Sequence, residues 1–361
     1  MRYLLLFIPL AIVSKFIFHN DLLLFACSAF SLIALSGLLG EAIEVIAEST
    51  STKTGALLNA TLGNAAELIF TIIALRAGQI ALVKASIIGA LLGNLLLLPA
   101  LAMIIGGIKN GRQYFNREAV TQNSTMMSLS VVGLILPTLF EILREAQNAQ
   151  GFKLDVSDTA LDKYSLGIAG VLIIVYLLSL LYTFTIKKEN EDLKDNPKIA
   201  KENDKQKEHN WSLKKSLLVL VGSTLFLIYM SDLLVGSVDH VINKFHFSAT
   251  FLGIILIPIL SDVAEHFVAI QQAYRNKMDL SLSISLESAS QIALFVAPLL
   301  IFISFFMGKE MTLFFSPFEV VILGLSVYII NQVSEDGESN WLEGSQLMVV
   351  YIIAAIGFYL L

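Results

Sequence analysis

The sequence predicts an all-α integral membrane protein of about 11 transmembrane helices, a first helix followed by two inverted five-helix repeats. Three observations carry the prediction. The 361 residues are 56% hydrophobic and 15% charged, with a mean hydropathy of +0.74, which leaves too little polar surface to cover a water-soluble fold of this size. Apolar runs of the length that crosses a hydrocarbon core, roughly 20 residues, recur from end to end. The short alternating strands of a membrane barrel are missing from the pattern, so the spans are helices, which satisfy their own backbone hydrogen bonds.

Apolar runs set against polar breaks place the helices at 3–18, 22–48, 56–77, 81–107, 123–141, 165–186, 214–243, 248–274, 280–307, 313–331 and 345–361. The first, MRYLLLFIPLAIVSKFIF, could be a secretory signal, with Leu24-Phe25-Ala26-Cys27 as a faint lipoprotein-type cleavage site. It lacks a clear cleavage pattern and leads straight into another apolar segment, so residues 1–21 are read as a first, peripheral transmembrane helix. Residues 22–186 then form the N-terminal five-helix repeat and 214–361 the C-terminal, inverted one. Between them 187–213 is a charged cytoplasmic linker: from Lys187 to Lys215 it mixes Lys, Glu, Asp and Asn with scarcely an apolar residue before Trp211, and is expected to be disordered or a short mobile helix.

Lysine and arginine set the orientation. With the N-terminus cytoplasmic, the inner side holds Arg2, Lys53, Lys109, Arg112, Arg117, the nine lysines from Lys187 to Lys215, Arg275 and Lys277. The linker supplies most of that excess. The net charge of −6 has no basic face behind it, which excludes a nucleic-acid partner and leaves the lipid bilayer. The single cysteine, Cys27, cannot form an internal disulfide and reads as a small core residue.

The two halves resemble each other. GALLNATLGNAAELI followed by SIIGALLGNLLLLPAL in the first corresponds to TFLGIILIPILSDVAEHFV followed by SISLESASQIALFVAPLL in the second. Aligning Glu67 with Glu265 brings Asn64 onto Asp262, sets Asn94 beside Gln291, and puts Pro99 and Pro298 shortly beyond. Five helices separate the third from the eighth, and an odd offset makes equivalent helices cross in opposite senses, the inverted-repeat architecture of many secondary transporters.

Acids at membrane depth cost about 2.5 to 3.5 kcal/mol each on insertion scales, so they ask for a reason. Asn64 and Glu67 share a helix face, as do Asp262, Glu265 and His266. Oxygen-rich carboxylate and amide groups suit hard cations such as calcium, magnesium or manganese. Two acids close together cannot both ionise without a counter-charge, so protons compete with the cation, which is the physical basis of antiport. Gly55, Asn59 and Gly63 recur at four-residue spacing, as do Gly89 and Gly93, letting helices approach or backbones open. Pro258, four residues before Asp262, is expected to break or kink the eighth helix.

GALLNATLGNAAELI, SDVAEHFVAI, SQIALFVAP and DGESNWLEG together resemble the cation/proton exchangers (the CAX group) of the calcium/cation antiporter superfamily, over nearly the whole chain after the first helix. The resemblance implies eleven helices, two inverted halves, calcium and protons as the exchanged ions, no cofactor and a homotrimer. It makes Glu67 and Glu265 the central cation and proton ligands, with Asn64, Asn94 and Gln291 lining the site and backbone carbonyls near Gly63 and Asp262 contributing. It makes Glu44 an acid of the access route, Asp239 its counterpart in the seventh helix, and His266 the histidine after the second glutamate. Two positions depart from the family pattern: Ser261-Asp262 stands where Gly-Asn is common, and Glu287-Ser288 where Gly-Ser is common. These extra acids bear on ion choice and proton count, and keep manganese or sodium in view.

Plainer readings stand beside these. His266 could be a packing residue, Glu44 and Glu48 could snorkel to headgroups, and of Asp232 and Asp239, which share a helix face, the latter could be solvated at the outer end. Glu335, Asp336, Glu338 and Glu343 form an acidic loop that could be a solvated face or gather cations. No His-Glu-x-x-His pattern, nucleophile elbow or activated cysteine supports an enzyme. A passive channel would use similar acids, and a sodium/calcium exchanger would use Asp262, Glu287, Ser288 and Ser290. The absence of a long N-terminal tail points to a prokaryotic inner membrane.

Overall fold

The computed structural model describes residues 2–149, 160–193, 211–309 and 311–361. Among these residues nine helices are long and apolar enough to cross a membrane: α2 (Asp21–Glu48), α3 (Leu57–Arg76), α4 (Ile80–Asn110), α5 (Val120–Ala146), α6 (Ala160–Tyr182), α7 (Leu213–Phe245), α8 (Ala249–Tyr274), α9 (Met278–Phe306) and α11 (Trp341–Leu360). Two shorter apolar helices, α1 (Tyr3–Phe18) and α10 (Pro317–Val333), complete the eleven positions read from the sequence. Of the charged linker, residues 187–193 continue the helix of α6, and residues 194–210 lie outside the described residues.

Burial separates an inner ring from a periphery. In α4, 83% of the apolar window is buried, against 22% in α6, so α4 is a central helix and α6 presents most of its surface to lipid. The α2 and α7 helices pack along one another, and α4 crosses α8. That crossing is made by glycines: a Cβ on Gly89 would fall inside the Ile254 carbonyl, and one on Gly253 would lie 3.1 Å from the Leu82 carbonyl oxygen. The methyl of Ala85 is what fills the space against Gly253, and with side chains no larger than this between them the two backbones come close.

Helix α10 starts later than the apolar run suggests, at Pro317 rather than 313. Ser316 and Glu319 form a reciprocal capping box and Pro317 sits in the first turn, which fixes the start. The preceding stretch is not helical, and its backbone is satisfied from neighbouring helices: Leu313 N–H donates to Ser165 Oγ at 3.1 Å and Phe315 N–H to Thr138 Oγ1 at 2.9 Å. Lys84 Nζ also donates to the Phe314 carbonyl at 2.9 Å.

Among the described residues three membrane-crossing helices carry a π-turn in their interior, at Gly93–Leu97 in α4, Leu252–Leu256 in α8 and Ile292–Val296 in α9, and a fourth π-turn, Ser14–Phe18, ends α1. Each interior one ends two residues before a proline, Pro99, Pro258 or Pro298. A proline has no N–H to donate and its ring crowds the carbonyl four residues back, so the chain widens by one residue per turn. Accordingly Leu98, Ile257 and Ala297 donate to carbonyls five residues back, those of Gly93, Leu252 and Ile292. The irregularity expected from Pro258 is this π-turn.

At one end of the bundle the connections are stitched together. Strands β1 (Gln113–Tyr114) and β2 (Glu338–Ser339) pair antiparallel. Arg112 reaches Glu338 at 3.0 Å, and Arg117 lies 3.9 Å from Glu335. Glu343 accepts from Asn340 N–H in a capping box that starts α11. Glu335, Glu338 and Glu343 thus have structural partners.

Candidate cation site

The site is built where helices stop being regular. Helix α3 runs to Leu62 and resumes at Ala65, with Gly63 and Asn64 between. A Cβ at Gly63 would lie 2.6 Å from the Asn59 carbonyl oxygen, so the backbone just before the break leaves no room for a side chain, and Gln291 Oε1 of α9 would lie 3.4 Å from it in ordinary contact. Asn64, at φ −96° and ψ 31°, stands at the head of the second half-helix, and Glu67 falls in its first turn. There the unpaired N–H groups and the helix dipole favour an anion.

Across from it, α8 brings Asp262 and Glu265 on one face. The Asp262 carboxyl reaches that of Glu67, with Glu265 as its next acidic neighbour. Asp262 Oδ1 accepts from Ser261 Oγ at 2.8 Å. Asp262 Oδ2 and Glu265 Oε2 are buried and receive no donor from the described residues. Carboxylates in such contact need a cation or a proton between them.

A polar chain backs the acids. Asn94, fully buried in the α4 π-turn, donates to Ser288 Oγ at 3.1 Å; Ser288 donates to Asn64 Oδ1 at 3.0 Å; Asn64 Nδ2 donates to Gln291 Oε1 at 2.9 Å. The Asn94 main-chain carbonyl, left by the π-turn without its usual helical donor, accepts from the Ser285 hydroxyl. Ser288 also stands beside Glu265. Asn64, Glu67, Asn94, Asp262, Glu265, Gln291 and Gly63 are therefore brought together, and Ser288, which the sequence offered only as a hydroxyl for a sodium/calcium exchanger, joins the two amides. His266 is buried against Gly93, its Nε2 without a partner among the described residues.

The remaining acids line approaches. A cavity of about 670 Å³ runs from Glu41, Glu44 and Glu48 of α2 to Glu67 and Glu265. Glu287 faces a second polar cavity of about 380 Å³, with Asn59, Ser290 and Gln291 in its wall. Asp239 belongs to neither: it accepts from Gln79 Nε2 at 3.3 Å and lines, with Asp232 and Asp21, a cavity of about 570 Å³ near the opposite ends of α2 and α7. Glu44 and Asp239 therefore sit on different sides. Between those sides Leu32, Phe70, Leu227, Ile257 and Leu260 crowd a gap of about 10 Å³. Among the described residues no three acidic, histidine or cysteine side chains form a ready metal cage, so amide, hydroxyl and main-chain oxygens would complete the coordination of a held cation.

The family described as "Sodium/calcium exchanger protein" matches residues 20–185 and 215–360. A Ca(2+)/H(+) antiporter of Aphanothece halophytica is 39% identical over 99% of this chain and 95% of its own length. The Ca(2+)/H(+) antiporter ChaA of Bacillus subtilis is 35% identical over 98% and 97%. Among solved structures, native YfkE superposes with a TM-score of 0.80 at 33% identity, covering 98% of this chain and 97% of that one. An H+/Ca2+ exchanger CAX shares the fold, with a TM-score of 0.69 at 14% identity over 99% and 90%. With both matched stretches covering most of its length, and relatives aligned from end to end, the chain belongs to the sodium/calcium exchanger protein family.

Proposed function

We propose that this chain is a secondary active antiporter exchanging calcium for protons by alternating access, with manganese as the second candidate divalent ion. The observation that carries the reading is the meeting of Glu67, Asp262 and Glu265 at the end of one cavity, backed by oriented amides and closed by an apolar layer on the other side. The relatives' names, Ca(2+)/H(+) antiporters, support the choice of ions.

The chemistry follows from the acids. A divalent cation arriving through the cavity finds hard oxygen ligands whose negative charge it neutralises, and it must displace the proton that otherwise lies between the carboxyls. When the opposite side opens, the cation leaves and protons take its place. Either occupant removes the repulsion among the acids, while an empty, fully ionised site is costly at this depth, so the crossing is coupled to being loaded. Glu44 and Glu48 gather cations on one side, Asp232 and Asp239 on the other.

We assign the Glu44 side to the cytoplasm, with the N-terminus cytoplasmic, from the distribution of lysine and arginine. The reading further takes 22–186 and 214–361 as the inverted repeats, a prokaryotic inner membrane as the location and a homotrimer as the assembly. The test is calcium uptake into vesicles loaded with acidic buffer. Uptake that collapses with the pH gradient and ignores a sodium gradient is the expected result; uptake driven by sodium alone would make the protein a sodium/calcium exchanger, and uptake needing neither gradient would make it a channel.

A further inference from the structure

Helix α6 is peripheral, with Val171, Ile174, Leu177 and Leu181 exposed. Tyr176 is turned the other way and is 4% exposed. Its hydroxyl donates to the main-chain carbonyl of Ala60 in α3 at 2.5 Å. Its ring stacks on Phe295 with centroids 5.1 Å apart and planes 23° apart.

Both partners lie in irregular backbone. In a regular helix the Ala60 carbonyl would accept from the N–H of Asn64, four residues on, but Asn64 has left the helical conformation. The break leaves the Ala60 carbonyl without that helical donor, on the wall of the polar cavity of about 380 Å³ that Tyr176 also lines, and the Tyr176 hydroxyl supplies the donor. Phe295 belongs to the α9 π-turn, which begins directly after Gln291. One side chain of a lipid-facing helix thus touches the two distorted segments whose amides, Asn64 and Gln291, bond to each other.

We propose that Tyr176 is a positioning residue for the cation site: its hydroxyl holds the α3 break open and its ring holds the α9 π-turn, so that Asn64 stays on Gln291 and Ser288. The proposal rests on the reading of that amide chain as part of the calcium site. Without the hydroxyl, the Ala60 carbonyl recovers a donor by drawing Asn64 N–H back into the helix, which withdraws the Asn64 side chain from its partners. The site then binds calcium less well, while the acids and the moving helices are untouched.

The experiment is calcium transport kinetics in vesicles for Tyr176→Phe, which keeps the ring and removes the hydroxyl, beside Glu67→Gln and the same-helix control Tyr164→Phe. The expected result is an apparent calcium KM raised about fivefold in Tyr176→Phe with the maximum rate within about twofold of wild type, the size of one lost hydrogen bond acting on binding. Tyr164→Phe is expected to match wild type. An unchanged KM, or a fall in rate with KM unchanged, overturns the proposal. Should Tyr176→Phe not fold, Phe295→Leu decides by the same criterion: a raised KM supports it and an unchanged KM overturns it. Transport surviving in Glu67→Gln would instead overturn the reading of the site, so the two failures are distinct.

Discussion

A serine hydroxyl can donate one hydrogen bond and accept two, and Ser288 uses that capacity to join Asn94 to Asn64. Replacing it with alanine strands an amide N–H and an amide oxygen, a cost of about 1 to 3 kcal/mol. Ser288→Ala is expected to weaken calcium binding roughly tenfold, read as a smaller calcium-induced rise in melting temperature. Asp262 makes a different prediction. Calcium and protons compete for the acids, so calcium affinity rises with pH, and its steepness reflects how many protons are displaced. Asp262→Asn removes one titrating carboxyl beside Glu67 and is expected to flatten that dependence, with the largest loss of affinity relative to wild type at high pH, where the wild-type carboxyl is ionised; an unaltered slope in calcium binding measured across pH would take Asp262 out of the exchange. Glu67, Asn64, Asp262 and Glu265 were legible in the sequence because acids and amides are costly inside a membrane. Ser288 was legible only as a candidate sodium ligand, and not as the link between Asn94 and Asn64, since serine suits a helix interface, a cap or a surface equally. Tyr176 was invisible for a related reason: in sequence it is one aromatic residue in an apolar run.

At the scale of elements, the site exists because four helices are interrupted. Proline interrupts α4, α8 and α9, and Gly63 with Asn64 interrupts α3. The prolines could be read in advance, but not whether each would give a kink or a π-turn, because that depends on which neighbour accepts or supplies the displaced hydrogen bond. Ser285 on the Asn94 carbonyl is such a neighbour. The start of α10 was missed similarly: the apolar run extends upstream of Pro317, and only hydroxyls of Thr138 and Ser165, distant in sequence, let Leu313 and Phe315 remain unhelical. The α4–α8 crossing gives the element-scale prediction. A side chain at Gly89 meets the Ile254 backbone, which cannot turn aside, so Gly89→Val is expected to destabilise by about 3 kcal/mol through overpacking. A lowered melting temperature and loss of a monodisperse peak in size-exclusion chromatography would register it; wild-type behaviour would mean that the crossing is looser than described.

For the whole molecule, the helical membrane fold and the count of apolar helices were legible in the sequence, because hydropathy is a property of the chain itself. The sequence did not show which side is open, since that is a choice between two packings of one sequence. The structure opens toward Glu44 and closes at the layer of Leu32, Phe70, Leu227, Ile257 and Leu260. Gly40 and Gly236 line the cavities on the two sides and have open space around a would-be Cβ. With Cys27 replaced, Gly40→Cys is expected to react with a charged thiol reagent from the cytoplasmic side alone and Gly236→Cys from the opposite side alone; the reverse pattern would invert the orientation. The central claim, that one set of acids carries both ions, is tested most directly by calcium uptake into acid-loaded vesicles with Glu67→Gln and Glu265→Gln separately. Each substitution is expected to lower uptake to the level of protein-free vesicles while the folded protein is recovered in normal amount. PH-driven uptake persisting in either variant would contradict the account.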